Sequence, residues 1–236
     1  GIRLERETFL RLRRSDEAAA LRYLFFAERA APRPASPRGI TPAPLARIGV
    51  IGGGTMGSGI AAALANAGLP VTLAETSPEA LATGMARLTA IFAAQVKRGL
   101  HDAAAAEARI ALVTGTVGLA DLSCCDLVIE AVFEDLAVKR GVFAELAGVC
   151  GPETILATNT SYLDPEQIVA DLPHPGRFIA LHFFSPAQVM KLLEIVPLAA
   201  TSPQTRATGF ALAARLGKIP VTAGNCEGFI GNRILK

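Results

Sequence analysis

Length, composition and charge limit the classes of protein to which this sequence can belong. The chain has 236 residues, 51% of them hydrophobic, which is enough for one sizeable domain with an appendage and excludes disorder over most of the length. The formal net charge is only +2, from 23 basic and 21 acidic residues. No overall field therefore favours nucleic acid or a membrane surface as a partner.

The spacing of the cysteines and the length of the apolar runs indicate the cellular compartment of the protein. The cysteines have neither metal-ligand spacing nor a disulfide pattern, which predicts no metal site and buried free thiols in a reducing compartment; they are Cys124, Cys125, Cys150 and Cys226. No stretch reaches the roughly 20 apolar residues of a membrane helix, and the N-terminus lacks the layout of a signal peptide. We therefore expect a cytoplasmic protein without membrane insertion, with a peroxisomal location left open.

The first 44 residues are expected to form an N-terminal linker. Over residues 4–31, apolar residues recur among charged ones with the spacing of one helix or two. The prolines that follow are too dense for a helix or a central strand and predict a stiff extended connector; they are Pro32, Pro34, Pro37, Pro42 and Pro44. A domain therefore begins near Leu45.

Short apolar runs and helical patterns alternate after Leu45. The first unit is a strand over Arg47–Gly52, a glycine-rich turn, a helix over Ile60–Ala67 and a strand over Val71–Glu75. Later strands are expected at Ile110–Val113, Asp126–Val132, Thr154–Thr158, Arg177–Phe183, Leu192–Val196 and Ile219–Thr222, and later helices at Pro78–Arg98, Leu136–Val149, Pro165–Asp171 and Gln204–Leu216. This alternation predicts an α/β fold over residues 45–224, with a Rossmann-type, doubly wound and mostly parallel sheet.

A phosphate-binding motif lies between the first strand and its helix. Gly52, Gly54 and Gly57 satisfy G-x-G-x-x-G, with Thr55 and Met56 between the last two. In such a loop the first glycine permits the tight turn, the second lets the backbone approach a pyrophosphate, and the third lets the helix pack close to the strand. The N–H groups that open the helix face the anion. The motif predicts a dinucleotide site, and a glycine-rich turn without a ligand is the alternative.

The acidic residue that closes the second strand indicates which dinucleotide binds. Glu75 lies 18 residues beyond Gly57, where this fold places the acid that accepts hydrogen bonds from the adenosine ribose. A carboxylate repels the 2′-phosphate of NADP, and Thr76 and Ser77 follow rather than arginine. We therefore expect NAD as the cofactor, with a solvated strand end as the alternative for Glu75.

Five stretches of the chain, in order, are similar to the motifs of one enzyme family. They are Val50–Ile60, Ile129–Val132, Thr158–Ser161, Leu181–Pro186 and Gly228–Arg233. From about Leu45 onward the chain resembles the NAD-binding domain of 3-hydroxyacyl-CoA dehydrogenases. The residues before Pro32 resemble the segment that joins an enoyl-CoA hydratase domain to such a dehydrogenase in multifunctional fatty-acid β-oxidation enzymes.

This resemblance implies a reaction and a domain context. The reaction is NAD-dependent oxidation of an L-3-hydroxyacyl-CoA to the 3-ketoacyl-CoA. Residues 225–236 would begin a C-terminal helical domain that completes the dehydrogenase, and the chain would also be linked to a preceding hydratase domain. We expect the fragment alone to bind NAD and to turn over poorly.

Three histidines are candidates for the base that such a reaction requires. Oxidation of a secondary alcohol needs a group that removes the hydroxyl proton while hydride leaves the carbon, and histidine suits that role near neutral pH. His101 lies at a polar helix boundary and His174 in a proline-flanked turn, whereas His182 ends a buried strand. Ligands gather beyond the carboxyl ends of parallel strands. By resemblance His182 is the general base; a structural histidine is the alternative.

The resemblance implies roles for further residues. Glu194 is a carboxylate in an otherwise apolar strand, where an unpaired charge is costly, and the family pairs it with the histidine. Ser161 and Asn232 match residues that hold the reacting oxygen, although Ser161 also suits a turn or a helix cap. Glu134 and Lys139 match positions near the nicotinamide ribose, and a structural role is equally open for them.

Two other functions stay open from the sequence. A β-hydroxyacid dehydrogenase acting on a substrate without coenzyme A has a similar plan, but the pair of His182 and Glu194 argues against the lysine base usual there. A domain that binds NAD without turnover, as in related lens crystallins, is the non-enzyme alternative. The presence of Ser161 and Asn232 beside that pair argues against it, so an acyl-CoA is the expected substrate.

Overall fold

The computed structural model of the chain describes residues 1–31 and 39–235. The helices of these residues are α1 (Ile2–Arg13), α2 (Asp16–Ala30), α3 (Thr55–Asn66), α4 (Pro78–Lys97), α5 (Ala103–Ile110), α6 (Leu136–Val149), α7 (Pro165–Ile168), α8 (Pro203–Arg215) and α9 (Gly231–Ile234). The strands are β1 (Ile48–Ile51), β2 (Val71–Glu75), β3 (Val113–Val117), β4 (Leu127–Glu130), β5 (Ile155–Thr158), β6 (Phe178–Phe183), β7 (Leu192–Pro197) and β8 (Ile219–Thr222).

These strands form one sheet in the order β3-β2-β1-β4-β5-β6-β7-β8. Every neighbouring pair is parallel except β6 with β7. The chain runs outward from β1 to β3 and then crosses back to β4, so the strand order reverses between β1 and β4, where doubly wound sheets bind their ligands. The expected Rossmann-type, mostly parallel sheet is confirmed.

Burial explains why the central strands are mostly apolar. All residues of β1, β4, β5 and β6 are buried, because helices cover both faces of a parallel sheet. One core cluster includes Ile60 of α3 and Phe92 of α4. A second cluster includes Phe143 and Leu146 of α6. The two clusters hold the carboxyl ends of the central strands in fixed positions.

The third strand is not where the sequence pattern placed it. The expected strand over Ile110–Val113 is wrong: Ile110 ends α5, and β3 begins at Val113. Helix α5 forms because Asp102 caps it, accepting a 2.7 Å hydrogen bond from the Ala105 N–H, and because a run of alanines follows. Strand β3 is an edge strand with two threonines and a glycine, so it lacks the apolar run of a central strand.

The N-terminal residues form two helices rather than one. Ser15 interrupts the pattern and caps α2, where its hydroxyl accepts a 3.2 Å hydrogen bond from the Ala18 N–H. Neither helix has a buried residue. Of the expected connector, Pro42 and Pro44 lie in irregular chain, and the other three prolines lie outside the described residues. The division into residues 1–44, 45–224 and 225–236 stays a prediction.

The cysteines are free, but only two of them are buried. Cys125 and Cys150 are buried, and burial raises the pKa of the Cys125 thiol to about 12. The expectation of buried thiols is wrong for Cys124 and Cys226, which are exposed. Cys124 ends a short 3₁₀ turn and lies 3.5 Å from the Arg47 guanidinium, while the next residue enters the core.

None of the helices within residues 1–31 and 39–235 has the length and hydropathy needed to span a bilayer.

Candidate functional site

The glycine-rich loop leads directly into α3. The helix begins at Thr55, so the expected start at Ile60 is wrong. Gly57 permits the earlier start because it packs against the loop: a Cβ there would lie 1.7 Å from the Gly52 carbonyl oxygen. Gly54 is the N-cap and supplies no side-chain cap, which leaves the first N–H groups of α3 for another acceptor.

A cleft of about 630 Å³ opens in front of this helix end. It is lined by Ile51, Gly52, Gly54, Thr55, Met56, Glu75, Thr76, Gly118, Leu119, Ala131, Val132, Phe133, Val138, Val142 and Glu145. The structure thus brings most of the predicted motif together with Glu75. Open space at Gly54, uncapped N–H groups and apolar walls fit a dinucleotide, whose pyrophosphate is an anion and whose rings have flat, apolar faces.

Glu75 is fixed at the edge of this cleft. Its Oε1 accepts a 2.6 Å hydrogen bond from the Gly53 N–H, and its Oε2 accepts a 3.1 Å bond from the Thr76 N–H. The carboxylate therefore borders the glycine-rich loop, and its contact with the adenosine ribose of a dinucleotide stays a prediction.

His182 and Glu194 form a buried pair at the carboxyl end of β6. The two residues are directly opposite each other in the antiparallel register of β6 and β7, which brings their side chains within reach. His182 Nδ1 lies 2.6 Å from Glu194 Oε2, and the residues are 3% and 0% exposed. The rings of Phe184 and Phe229 lie 4.5 and 5.5 Å from the imidazole, centroid to centroid. The pair is thus held in apolar surroundings.

The charge state of Glu194 indicates which nitrogen of His182 carries the hydrogen in their hydrogen bond. Burial raises the pKa of this carboxyl group, but hydrogen bonds from His182 and from the Gly231 and Ile230 amides outweigh it, and the pKa is lowered overall. An ionised carboxylate only accepts hydrogen bonds. The Nδ1 atom of His182 therefore carries a hydrogen, and in the neutral imidazole the lone pair is on Nε2.

Glu194 also anchors the segment that carries Asn232. Its Oε1 accepts hydrogen bonds of 3.0 and 2.7 Å from the N–H groups of Ile230 and Gly231 at the start of α9. Asn232 is the next residue and is half-buried. One carboxylate therefore joins the histidine to the backbone that directly precedes the predicted oxygen-binding residue, an arrangement that the sequence pattern did not suggest.

Glu134 organises the turn that contains Ser161. Its Oε1 accepts bonds of 2.7 Å from the Ser161 N–H, 2.5 Å from the Thr160 hydroxyl and 3.1 Å from the Tyr162 N–H. Burial raises the pKa of Glu134, but these hydrogen bonds and the positive charge of Lys139 lower it overall. Whether Glu134 also contacts a nicotinamide ribose stays a prediction.

The Ser161 turn is tied to the histidine strand through Asn159. The side-chain oxygen of Asn159 accepts a 2.8 Å hydrogen bond from the Phe183 N–H, directly after His182. Asn159 belongs to a matched motif, but we assigned it no role. The sequence feature that could have indicated this role is an amide side chain at the carboxyl end of a buried strand, where it can form a hydrogen bond to the neighbouring strand.

Lys139 lies in a buried polar network that the sequence analysis missed. Its Nζ lies 2.6 Å from Glu130 Oε1 and 3.3 Å from Glu134 Oε2, and its side chain is 1% exposed. Glu130 also accepts a 2.8 Å bond from the Thr158 hydroxyl and another from the Val132 N–H. The sequence feature that could have indicated the buried role of Glu130 was a carboxylate in an otherwise apolar strand, as was the case for Glu194. The predicted place of Lys139 near the cofactor stays untested.

Removal of the Lys139 ammonium should destabilise the protein strongly. Lys139→Met is expected to lower the free energy of unfolding by about 3–5 kcal/mol, because the fully buried Glu130 is left without its counterion. Thermal unfolding at neutral pH measures this. Lys191→Met, at an exposed lysine, is the control and should change stability by less than about 0.5 kcal/mol. Equal melting temperatures for the two variants would contradict the structural role.

Comparisons with known proteins identify the family of this chain. Residues 47–226 match the family model described as "3-hydroxyacyl-CoA dehydrogenase, NAD binding domain". A peroxisomal bifunctional enzyme of Cavia porcellus is 44% identical over the whole chain, and the chain spans 33% of that relative's length.

Two solved structures are also similar. That of FadB2 from M. tuberculosis superimposes with a TM-score of 0.80 at 37% identity, over 82% of this chain and 68% of that one. The 3-hydroxybutyryl-CoA dehydrogenase of Escherichia coli gives 0.78 at 40% identity, over 81% and 41%. The family model alone covers well over half of the chain. The resemblance and the expected NAD cofactor are thereby confirmed, and this chain belongs to the family of NAD-binding domains of 3-hydroxyacyl-CoA dehydrogenases.

Proposed function

We propose that the protein carrying this chain oxidises L-3-hydroxyacyl-CoA to 3-ketoacyl-CoA with NAD in fatty-acid β-oxidation, with His182 as the general base. The observation that supports this most strongly is the 2.6 Å contact between His182 Nδ1 and Glu194 Oε2 in a buried pair. An ionised carboxylate behind an imidazole fixes its orientation and stabilises the charge that it gains as a base.

The proton in this mechanism moves to a defined atom. Because Nδ1 donates to Glu194, the free lone pair of His182 Nε2 takes the proton of the substrate hydroxyl as the carbonyl forms. NAD held by the glycine-rich loop and Glu75 would supply the acceptor for the hydride that leaves the carbon bearing this hydroxyl. The reverse direction returns the Nε2 proton to the oxygen. Glu194 stays ionised throughout, since its lowered pKa favours the charged form.

Ser161 and Asn232 are proposed to hold the reacting oxygen. Ser161 is anchored through its N–H on Glu134, and the start of α9 beside Asn232 is anchored on Glu194. Both anchors are carboxylates whose pKa is lowered, so the anchoring acceptors are charged at neutral pH. The hydroxyl and amide groups are thereby available at fixed positions, as preorganised donors require.

The wider context of the chain is also a proposal. Because the chain spans about a third of its curated relatives, we propose that it works within a longer protein that includes an enoyl-CoA hydratase domain and a C-terminal dehydrogenase domain. An acyl-CoA is its partner as substrate. We propose the cytoplasm as its location. The peroxisome is the alternative, since the relative from Cavia porcellus is named a peroxisomal enzyme.

The reaction can be tested directly with the full-length protein. NADH oxidation is expected with acetoacetyl-CoA and not with acetoacetate, the matched substrate without coenzyme A. Turnover of acetoacetate at the same kcat/KM would favour a β-hydroxyacid dehydrogenase. NADH binding without turnover of either compound would mean that the protein is a binding module.

The carboxylate of Glu75 should make the protein selective for NADH over NADPH. Its oxygens lie at the ribose end of the cleft, where they repel a 2′-phosphate. Glu75→Gln keeps the size and a hydrogen-bond acceptor for the Gly53 N–H but removes the charge, so the Kd for NADPH should fall relative to that for NADH. Calorimetric titration of both cofactors measures the ratio. Glu145→Gln, at the same cleft, is the control, and an unchanged ratio in the Glu75 variant would contradict the assignment.

A further inference from the structure

Gly53 is the residue between the first two glycines of the G-x-G-x-x-G motif, and its backbone forms hydrogen bonds with three side chains. Its N–H donates a 2.6 Å hydrogen bond to Glu75 Oε1. Its carbonyl oxygen lies 2.9 Å from the Ser58 hydroxyl and 3.2 Å from Arg87 Nη1. Ser58 is fully buried in α3, and Arg87 reaches the loop from α4. Both polar groups of the Gly53 backbone are therefore occupied by side chains outside the loop.

Helix α4 also touches this residue directly, through Gly84. A Cβ on Gly84 would lie 3.0 Å from Gly53 Cα and 3.3 Å from the Gly53 oxygen, and a Cβ on Gly53 would lie 2.8 Å from Gly84 Cα. The Ser58 hydroxyl lies 3.3 Å from the Gly84 oxygen, bridging the two backbones. Because backbone atoms cannot move aside as a flexible side chain does, any side chain at position 84 must displace the loop or the helix.

We propose that Gly84 and Arg87 of α4 are positioning residues for the cofactor, because they clamp Gly53 and so set the direction of the Gly54 N–H. The peptide between Gly53 and Gly54 is planar, so its N–H points opposite to its carbonyl. The carbonyl is held toward Ser58 and Arg87. Gly54 has open space where a Cβ would lie and precedes the uncapped helix end.

This arrangement assigns different tasks to neighbouring amides of the motif. The Gly53 N–H is taken by Glu75 and serves the loop itself. The Gly54 N–H and the first amides of α3 are left for the pyrophosphate, which requires amides already aimed at the anion. The inference rests on NAD binding by this domain and adds that α4, outside the motif, determines how well the motif binds.

Gly84→Ala and Arg87→Met in the full-length protein test the clamp. Gly84→Ala should raise the Kd for NADH several-fold, since the added Cβ would lie 3.0 Å from Gly53 Cα and would force the loop or α4 to shift by a few tenths of an ångström. Arg87→Met should raise it several-fold, and Arg87→Lys should restore part of the loss. The matched control is Gly141→Ala, on the exposed face of α6 with no atom within 4 Å of the added Cβ.

Two readouts separate positioning from general destabilisation. Calorimetry should give a raised Kd for NADH in both variants, while KM for acetoacetyl-CoA and the Arg87→Met melting temperature stay at wild-type values. A Kd for Gly84→Ala equal to that of Gly141→Ala, or for Arg87→Met equal to wild type, would overturn the inference. If Gly84→Ala does not fold, Arg87→Met decides. Failure of the wild-type protein itself to bind NADH would instead overturn the proposed function.

Discussion

Replacement of His182 by alanine is expected to lower kcat for the reduction of acetoacetyl-CoA by about 10²- to 10⁴-fold, the range typical of a removed general acid or base. The Kd for NADH should change little, because His182 is not among the residues that line the cleft at the glycine-rich loop. The physical reason is the loss of Nε2, whose lone pair is fixed by the hydrogen bond from Nδ1 to Glu194. Steady-state kinetics at saturating NADH, with the full-length protein, measures the effect.

The control for this variant is His101→Ala. His101 lies between α4 and α5 and does not belong to the hydrogen-bonded pair of His182 and Glu194, so its removal should leave kcat within about twofold of wild type. Retention of more than about a tenth of the wild-type kcat by His182→Ala would contradict the role of general base. Binding of NADH by the inactive variant shows that the domain is still folded.

Glu194→Gln is expected to affect both activity and stability. Glu194 accepts from His182 with one oxygen and from the Ile230 and Gly231 amides with the other. Glutamine has a single acceptor oxygen, so its NH₂ group must face a donor on one side. We expect kcat to fall by about 10²- to 10⁴-fold, as when the acid of a triad is replaced by its amide. The free energy of unfolding at neutral pH should fall by about 1–3 kcal/mol.

The pH dependence of that stability difference provides a second measurement. The pKa of Glu194 is lowered from its usual value of 4.5. A carboxyl group whose pKa is lowered on folding stabilises the folded protein at pH values above the pKa that the group has in the unfolded chain. This stabilisation is lost as the pH falls through the folded-state pKa. The gap between wild type and Glu194→Gln should therefore be full at pH 7 and shrink below about pH 4.5. Glu153→Gln, at an exposed glutamate, is the control, and a gap that is constant with pH would contradict the ionised pair.

The sequence pattern located the apolar strands well and the polar or glycine-rich elements poorly. The strands Val71–Glu75 and Ile219–Thr222 and the helix Leu136–Val149 have the expected bounds, because each coincides with an apolar run or an amphipathic helical pattern of the sequence. Strand β3 was misplaced because an edge strand need not be apolar, and α3 begins at Thr55 among residues of weak helix propensity. There, close packing of Gly57 on the loop outweighs local preference.

The doubly wound sheet and the glycine-rich motif could be predicted from periodicity and motif spacing, which depend only on neighbouring residues. The family, and the roles of His182 and Glu194 as a base and its partner, were implied by the resemblance of short motifs. Only the folded chain shows that Glu194 joins the histidine to α9, that Lys139 is buried between two carboxylates, and that Gly84 touches Gly53. Such contacts join residues that are distant in the chain, and their partners are fixed by strand register and helix packing rather than by local pattern.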